Sequence, residues 1–198
     1  MNAPERKSLA RGKLLPFSLT LFVIALDQFT KALIIRYFPQ NGSYIKEVFG
    51  NDLLWITHVR NKAIAFSLGQ NLTESLRPLV FVVFPIAALG FLIWYYWKSK
   101  DLSTVQRWAI AGIIGGGIGN IIDRIARPDG VVDFISVKFY GLFGLERWPT
   151  FNVADSSVVI SGLILIATMF FAVPKEAPQS EAGKAGQKTP EEAQTGEP

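Results

Sequence analysis

The chain has 198 residues, 49% of them hydrophobic, with a mean hydropathy of +0.28 and a net charge of +4. Its charge is confined to patches between apolar runs, which places it in the membrane class, and so small and scattered a positive balance suggests no nucleic-acid partner. Cysteine is absent and His58 is the sole histidine, which excludes disulfides, thiolate sites and His-rich metal sites; a Ser-His-Asp triad would have to use that one residue.

Four segments can span a bilayer, which takes about 20 apolar residues per helix. They cover about 14–35, 79–97, 105–122 and 153–173. The basic tail 1–13 precedes the first, which contains Asp27 and Lys31. A basic start and an apolar stretch also describe a signal peptide. This stretch runs on past Asp27 and no small-x-small site follows it, so a retained helix is the expectation. In the region 39–75, Val48-Phe49, Gly50-Asn51-Asp52 and the run 53–59 read as a hairpin, a small sheet on the membrane face. Tyr95, Tyr96 and Trp97 end the second span as an interfacial aromatic belt would.

The third span carries Gly112, Gly115, Gly116, Gly117 and Gly119. The spacings 112/116 and 115/119 let helix backbones approach closely in lipid. The loop 127–150 opens on the turn signal Arg-Pro-Asp-Gly and continues through the aromatic stretch 138–149, which reads as an amphipathic lid on the membrane. From Pro174 the chain has no large apolar residue, so 174–198 reads as a disordered tail. Basic residues cluster before span one (Arg6, Lys7, Arg11, Lys13) and between spans two and three (Lys98, Lys100, Arg107), which predicts cytoplasmic termini and outward-facing regions 39–75 and 127–150. The expected fold is an all-α membrane protein: a transmembrane domain over 14–173 with four helices, a small extracytoplasmic β-sheet and a membrane-surface loop or helix.

Polar residues gather at the outer ends of spans three and four and in the loop joining them: Asn120, Asp123, Arg124, Asp133, Asn152 and Asp155. Each has an ordinary structural reading. Asn152 suits a helix N-cap, Asp155 a first-turn acid, and Asp123 a partner for Arg124 or another buried cation. Asp27 and Lys31, four apart, suit an internal ion pair. Asn61 suits a turn or a side chain of the site, and His58 on its apolar strand reads as structural. Taken singly these readings leave the clustering unexplained. Asp133, flanked by Val131-Val132 and Phe134-Ile135, is costly unless paired, protonated or used in chemistry. Two close carboxylates share one proton. The ionised member can activate water while the protonated member polarises a carbonyl, chemistry that needs no metal, cysteine or histidine.

The set Asp27-Gln-Phe-Thr-Lys31, Asn61 through Phe66, Gly119-Asn-Ile-Ile-Asp-Arg124, Val131-Val-Asp-Phe134 and Phe151-Asn-Val-Ala-Asp155 resembles the lipoprotein signal peptidases (signal peptidase II) of bacteria, over roughly 15–173. The resemblance implies an aspartyl endopeptidase of the inner membrane that removes signal peptides from diacylglyceryl-modified prolipoproteins, cutting before the lipidated cysteine. It implies Asp133 and Asp155 as the catalytic pair, Asn61, Asn120, Arg124 and Asn152 as substrate-binding or supporting residues, and Asp27, Lys31 and Asp123 as structural polar residues. It further implies contact with membrane lipids, globomycin-type inhibition, a monomer and no cofactor. Ala63-Ile64 stands where the family usually has Gly-Ala, and the stretch 138–149 is longer than the family minimum; both bear on specificity. A small transporter or proton relay would also use intramembrane Asp and Lys, though no inverted repeat is visible. A non-catalytic scaffold is the third class.

Overall fold

The computed structural model describes residues 12–40, 45–62, 76 and 78–170. The tail 1–11, Ala63-Ile64 and the tail 174–198 lie outside the described residues. Among the described residues, four helices long and apolar enough to cross a membrane cover Gly12–Tyr37, Leu79–Lys98, Thr104–Ala126 and Val153–Phe170. Their regular parts are α1 (Phe17–Tyr37), α2 (Phe84–Lys98, entered through a wider π-helical turn at Leu79–Val83), α3 (Thr104–Ala126) and α4 (Val153–Phe170). Leu21, Phe22, Phe91, Leu163 and Met169 are exposed on the helices' outer faces, as suits surfaces whose solvent is hydrocarbon.

α3 is the axis of the bundle, packed against α1, α2 and α4. Its glycines allow this. A Cβ on Gly115 would lie 3.0 Å from Val23 Cβ and 3.1 Å from the Thr20 backbone, and one on Gly119 would lie 2.8 Å from Asp27 Oδ2. Gly112 and Gly116 instead meet Ser161 and Ala154 of α4, and Gly117 meets Leu89 of α2. Gly115 thus admits α1, Gly112 and Gly116 admit α4, and Gly119 lies against both, its Cβ position also 3.2 Å from Ala154 Cβ.

One end of the bundle is closed by Tyr96. This residue is fully buried, and its Oη donates to the Lys13 carbonyl at 2.6 Å while the Arg107 guanidinium lies 5.3 Å from its ring centroid. Tyr96 is therefore a core residue, and of the aromatic belt expected at 95–97 only Tyr95 and Trp97 are exposed. The start of α1, the end of α2 and the start of α3 share this end, as alternating spans require.

At the other end sits a three-stranded antiparallel sheet in the order β1 (Lys46–Phe49), β2 (Leu54–Asn61), β3 (Val131–Val137). The expected hairpin is β1–β2, turning at Asn51 and Asp52 with positive φ of 64° and 59°. β3 falls in the segment expected as an outer loop. Val131, Val132, Asp133 and Phe134 are all buried, so the strand has no solvent face and no period-two pattern to read. Phe151 extends the sheet: Ile135 N donates to Phe151 O at 2.8 Å and Phe151 N to Ile135 O at 3.0 Å, which pins the start of α4 to β3. Ile34, Val132 and Phe134 form the apolar junction beneath, joined by Phe38 and Val153.

The stretch expected as a lid is a ribbon continuing β3. Lys138 pairs with Arg147, Trp148 N donates to Val137 O at 2.9 Å, and one 3-10 turn spans Leu142–Gly144. Arg147 fastens it. Its Nε donates to Ser136 Oγ at 2.8 Å, Nη2 to Ser136 O at 2.7 Å and Nη1 to Asp52 O at 2.7 Å, and the guanidinium lies 3.6 Å from the Trp55 ring centroid.

Candidate active site

Asn152 immediately precedes α4. Its Oδ1 accepts from the Asp155 backbone N–H at 2.9 Å, and Asp155 Oδ2 accepts from the Asn152 N–H at 3.1 Å. This reciprocal pair is a capping box, so the ordinary readings of both residues hold. The cap also orients the site. With Oδ1 committed to the helix, Asn152 Nδ2 faces the other way and donates to Asp133 Oδ1 at 2.7 Å and to Asn120 Oδ1 at 3.1 Å.

Asp133 arrives on β3 and Asn61 on β2. The register pairs Asn61 with Val131 and Val59 with Asp133, so Asn61 and Asp133 are diagonal neighbours on one face, and Asn61 Nδ2 donates to Asp133 Oδ2 at 2.9 Å. On the far side, Asn120 Nδ2 donates to Asp155 Oδ1 at 2.7 Å. Each oxygen of both carboxylates thus accepts one N–H. Burial pushes the Asp133 carboxyl up to about 7, the charge of Asp155 adds to the rise, and the amides of Asn61 and Asn152 and the charge of Lys31 oppose it.

Lys31 stands behind this array. It is fully buried, 2.8 Å from Asp27 Oδ2 and 3.1 Å from Asp123 Oδ2, and donates to Asn120 Oδ1 at 3.0 Å. An ammonium only donates, so Lys31 holds Asn120 with its oxygen inward and its Nδ2 toward Asp155. The two scaffold acids each hold a backbone amide as well. Asp27 Oδ1 accepts from Ala154 N at 3.0 Å, in the first turn of α4, and Asp123 Oδ2 accepts from Val132 N at 3.0 Å, in β3. The elements that carry Asp155 and Asp133 are therefore moored to one buried ion cluster.

Arg124, the first partner considered for Asp123, is not its ion-pair partner; Lys31 and Arg127 are. Asp123 and Arg127 are four apart on the helix turn and its exit, a spacing that could have signalled the pair. Arg124 instead contributes a positive charge felt by Asp155, Asp133 and Asp123. Sequence reasoning also missed Gln28, whose Nε2 donates to Asp123 Oδ1 and to Gly119 O, both at 3.1 Å, and whose Oε1 accepts from Arg127 at 3.1 Å. No pattern marks a glutamine for such a role. His58 stays outside the cluster, with Nδ1 2.9 Å from the Phe38 carbonyl oxygen.

Four spans, a sheet seated on one end and a pair of acids bridged by amides, Asp133 buried and Asp155 half-buried, define the class: a multi-pass membrane protein whose polar centre offers acid–base groups. Comparison with known proteins narrows this. Residues 19–171 match the family model described as Signal peptidase (SPase) II. A lipoprotein signal peptidase of Treponema pallidum is 42% identical over 178 residues, covering 90% of this chain and 95% of that protein. One from Treponema denticola is 49% identical over 149 residues, covering 75% of this chain and 84% of that protein. A solved bacterial membrane enzyme, determined by the in meso method at 2.3 Å resolution, superposes with a TM-score of 0.67 at 27% identity, covering 88% of this chain and 94% of that one. The chain belongs to the signal peptidase II family, and it is accordingly a membrane aspartic endopeptidase.

Proposed function

We propose that Asp133 and Asp155 are the catalytic pair, and that the enzyme removes signal peptides from diacylglyceryl-modified prolipoproteins by cutting just before the lipidated cysteine. The observation that carries this is the amide bridge: Asn152 joins Asp133 to Asn120, and Asn120 joins Asp155 to Lys31. In the proposed reaction Asp155 takes a proton from water. Asp133, whose carboxyl is half protonated near neutral pH with its pKa at about 7, donates to the scissile carbonyl, and a proton then passes to the leaving amine. The pair titrates as one unit. Asn61 and Asn152 hold Asp133, Asn120 and the charge of Arg124 serve Asp155, and Asp27, Lys31 and Asp123 hold the scaffold.

The basic tail before α1 and the basic link before α3 support cytoplasmic termini, with the aspartates toward the periplasmic face of the inner membrane. The substrate reaches the site from the lipid that holds its acyl chains. The enzyme acts as a monomer, and globomycin-type peptides compete for the substrate's place. The test is cleavage of a lipidated prolipoprotein by the purified protein in detergent. Asp133→Asn and Asp155→Asn should each lose nearly all activity with the fold retained; full cleavage by either would sink the assignment.

A further inference from the structure

A cavity of about 410 Å³ lies at the C-terminal end of α1, lined by Arg36, Tyr37, Phe38, Gln40, His58 and Arg60 among others. It is separate from the aspartates for a geometric reason. Arg60 and Asn61 are successive residues of β2, so their side chains leave opposite faces: Asn61 reaches Asp133 while Arg60 lines the cavity.

Three polar atoms of the lining residues are unmet. Nε and Nη1 of Arg60 and Nε2 of His58 are buried with no hydrogen-bond partner among the described residues, and His58 is only 2% exposed. A buried guanidinium without acceptors is costly, which points to an acceptor that belongs there. Among the described residues no carboxylate lines the cavity. Arg36 adds a second guanidinium and offsets the partial negative charge of the α1 carbonyl end. His58 Nδ1 faces the Phe38 carbonyl oxygen, which only accepts, so Nδ1 carries the hydrogen and Nε2 of the neutral ring is an acceptor. Two guanidinium donors and one imidazole acceptor therefore belong to residues that line one cavity.

We propose that this cavity binds a phosphate oxyanion that carries a neighbouring hydrogen-bond donor. Arg60 and Arg36 take the phosphate oxygens, and His58 Nε2 accepts from the hydroxyl or ammonium beside it. The end of a membrane-spanning helix lies at headgroup depth, where phosphatidylglycerol and phosphatidylethanolamine present this chemistry and phosphatidylcholine lacks the donor. Free monohydrogen or dihydrogen phosphate presents it from solution.

The experiment uses the full chain, delipidated in detergent. Native mass spectrometry follows binding of short-chain phosphatidylglycerol, phosphatidylethanolamine and phosphatidylcholine, with inorganic phosphate as competitor. The wild type should bind the first two at least about tenfold more tightly than phosphatidylcholine, and Arg36→Gln/Arg60→Gln should lose that preference. Arg36→Gln alone, at an exposed residue, keeps the fold and should lose part of it; Arg60→Lys, which keeps the charge without the fork, should lose most of it. Displacement of bound lipid by millimolar phosphate would assign the free ion, and resistance to it would assign the headgroup; either supports the site. Equal binding of all three lipids by the wild type, or binding unchanged in the double variant, overturns the proposal.

Discussion

Asp133→Asn should abolish cleavage and yet stabilise the protein at neutral pH and above. Burial and the neighbouring charge of Asp155 raise the Asp133 carboxyl from 3.8 to about 7. That rise corresponds to about 4 kcal/mol against ionisation, an upper figure at roughly 1.4 kcal/mol per tenfold. Because the folded value lies above the unfolded one, the folded state binds more protons between those pH values. The stability contributed by neutral Asp133 is full below 3.8 and is lost as pH rises through about 7. Asparagine never ionises. At either oxygen position its NH₂ meets a donor, Asn61 Nδ2 or Asn152 Nδ2, but so does the hydroxyl of the protonated acid, so the two proteins should match near pH 4. Above that the variant gains, reaching as much as about 4 kcal/mol over the wild type at pH 8. Denaturant unfolding in micelles at several pH values reads this directly, beside a cleavage assay expected to fall at least about 10³-fold. A stability difference that stays flat with pH, or a variant less stable at pH 8, refutes the reasoning.

Lys31→Met leaves Asp27 and Asp123 buried without their shared cation and should cost about 3–5 kcal/mol of stability, measured by thermal unfolding in detergent. Gly115→Leu forces a side chain into the Thr20 backbone and should cost at least about 1–3 kcal/mol, whereas Gly162→Ala, with nothing within 4 Å of its Cβ, should be nearly neutral. Removal of 175–198 should leave cleavage intact in the same prolipoprotein assay; a large loss would show that the tail takes part.

The site's polar members were legible because burying a charge in apolar company is expensive enough to mark it. Asp27, Lys31, Asp123, Asp133 and Asp155 stood out for that reason. Their partners were less so. Gln28 and Arg127 complete the ion cluster from positions with no anomaly of their own. Asn152 looked like a cap and is one, and the same cap aims its amide at Asp133.

The spans, the β1–β2 hairpin and the motif order are written in the chain's local composition: a bilayer demands about 20 apolar residues whatever surrounds them. That Val131–Val137 is a strand, that Phe151 joins it, and that Asp133 and Asp155 are linked through two asparagines emerge from the packed fold alone. Those features come from pairing between segments distant in the chain. A strand buried on both faces carries no alternation, and a hydrogen bond 72 residues long in sequence, from Asn61 to Asp133, leaves no periodic trace.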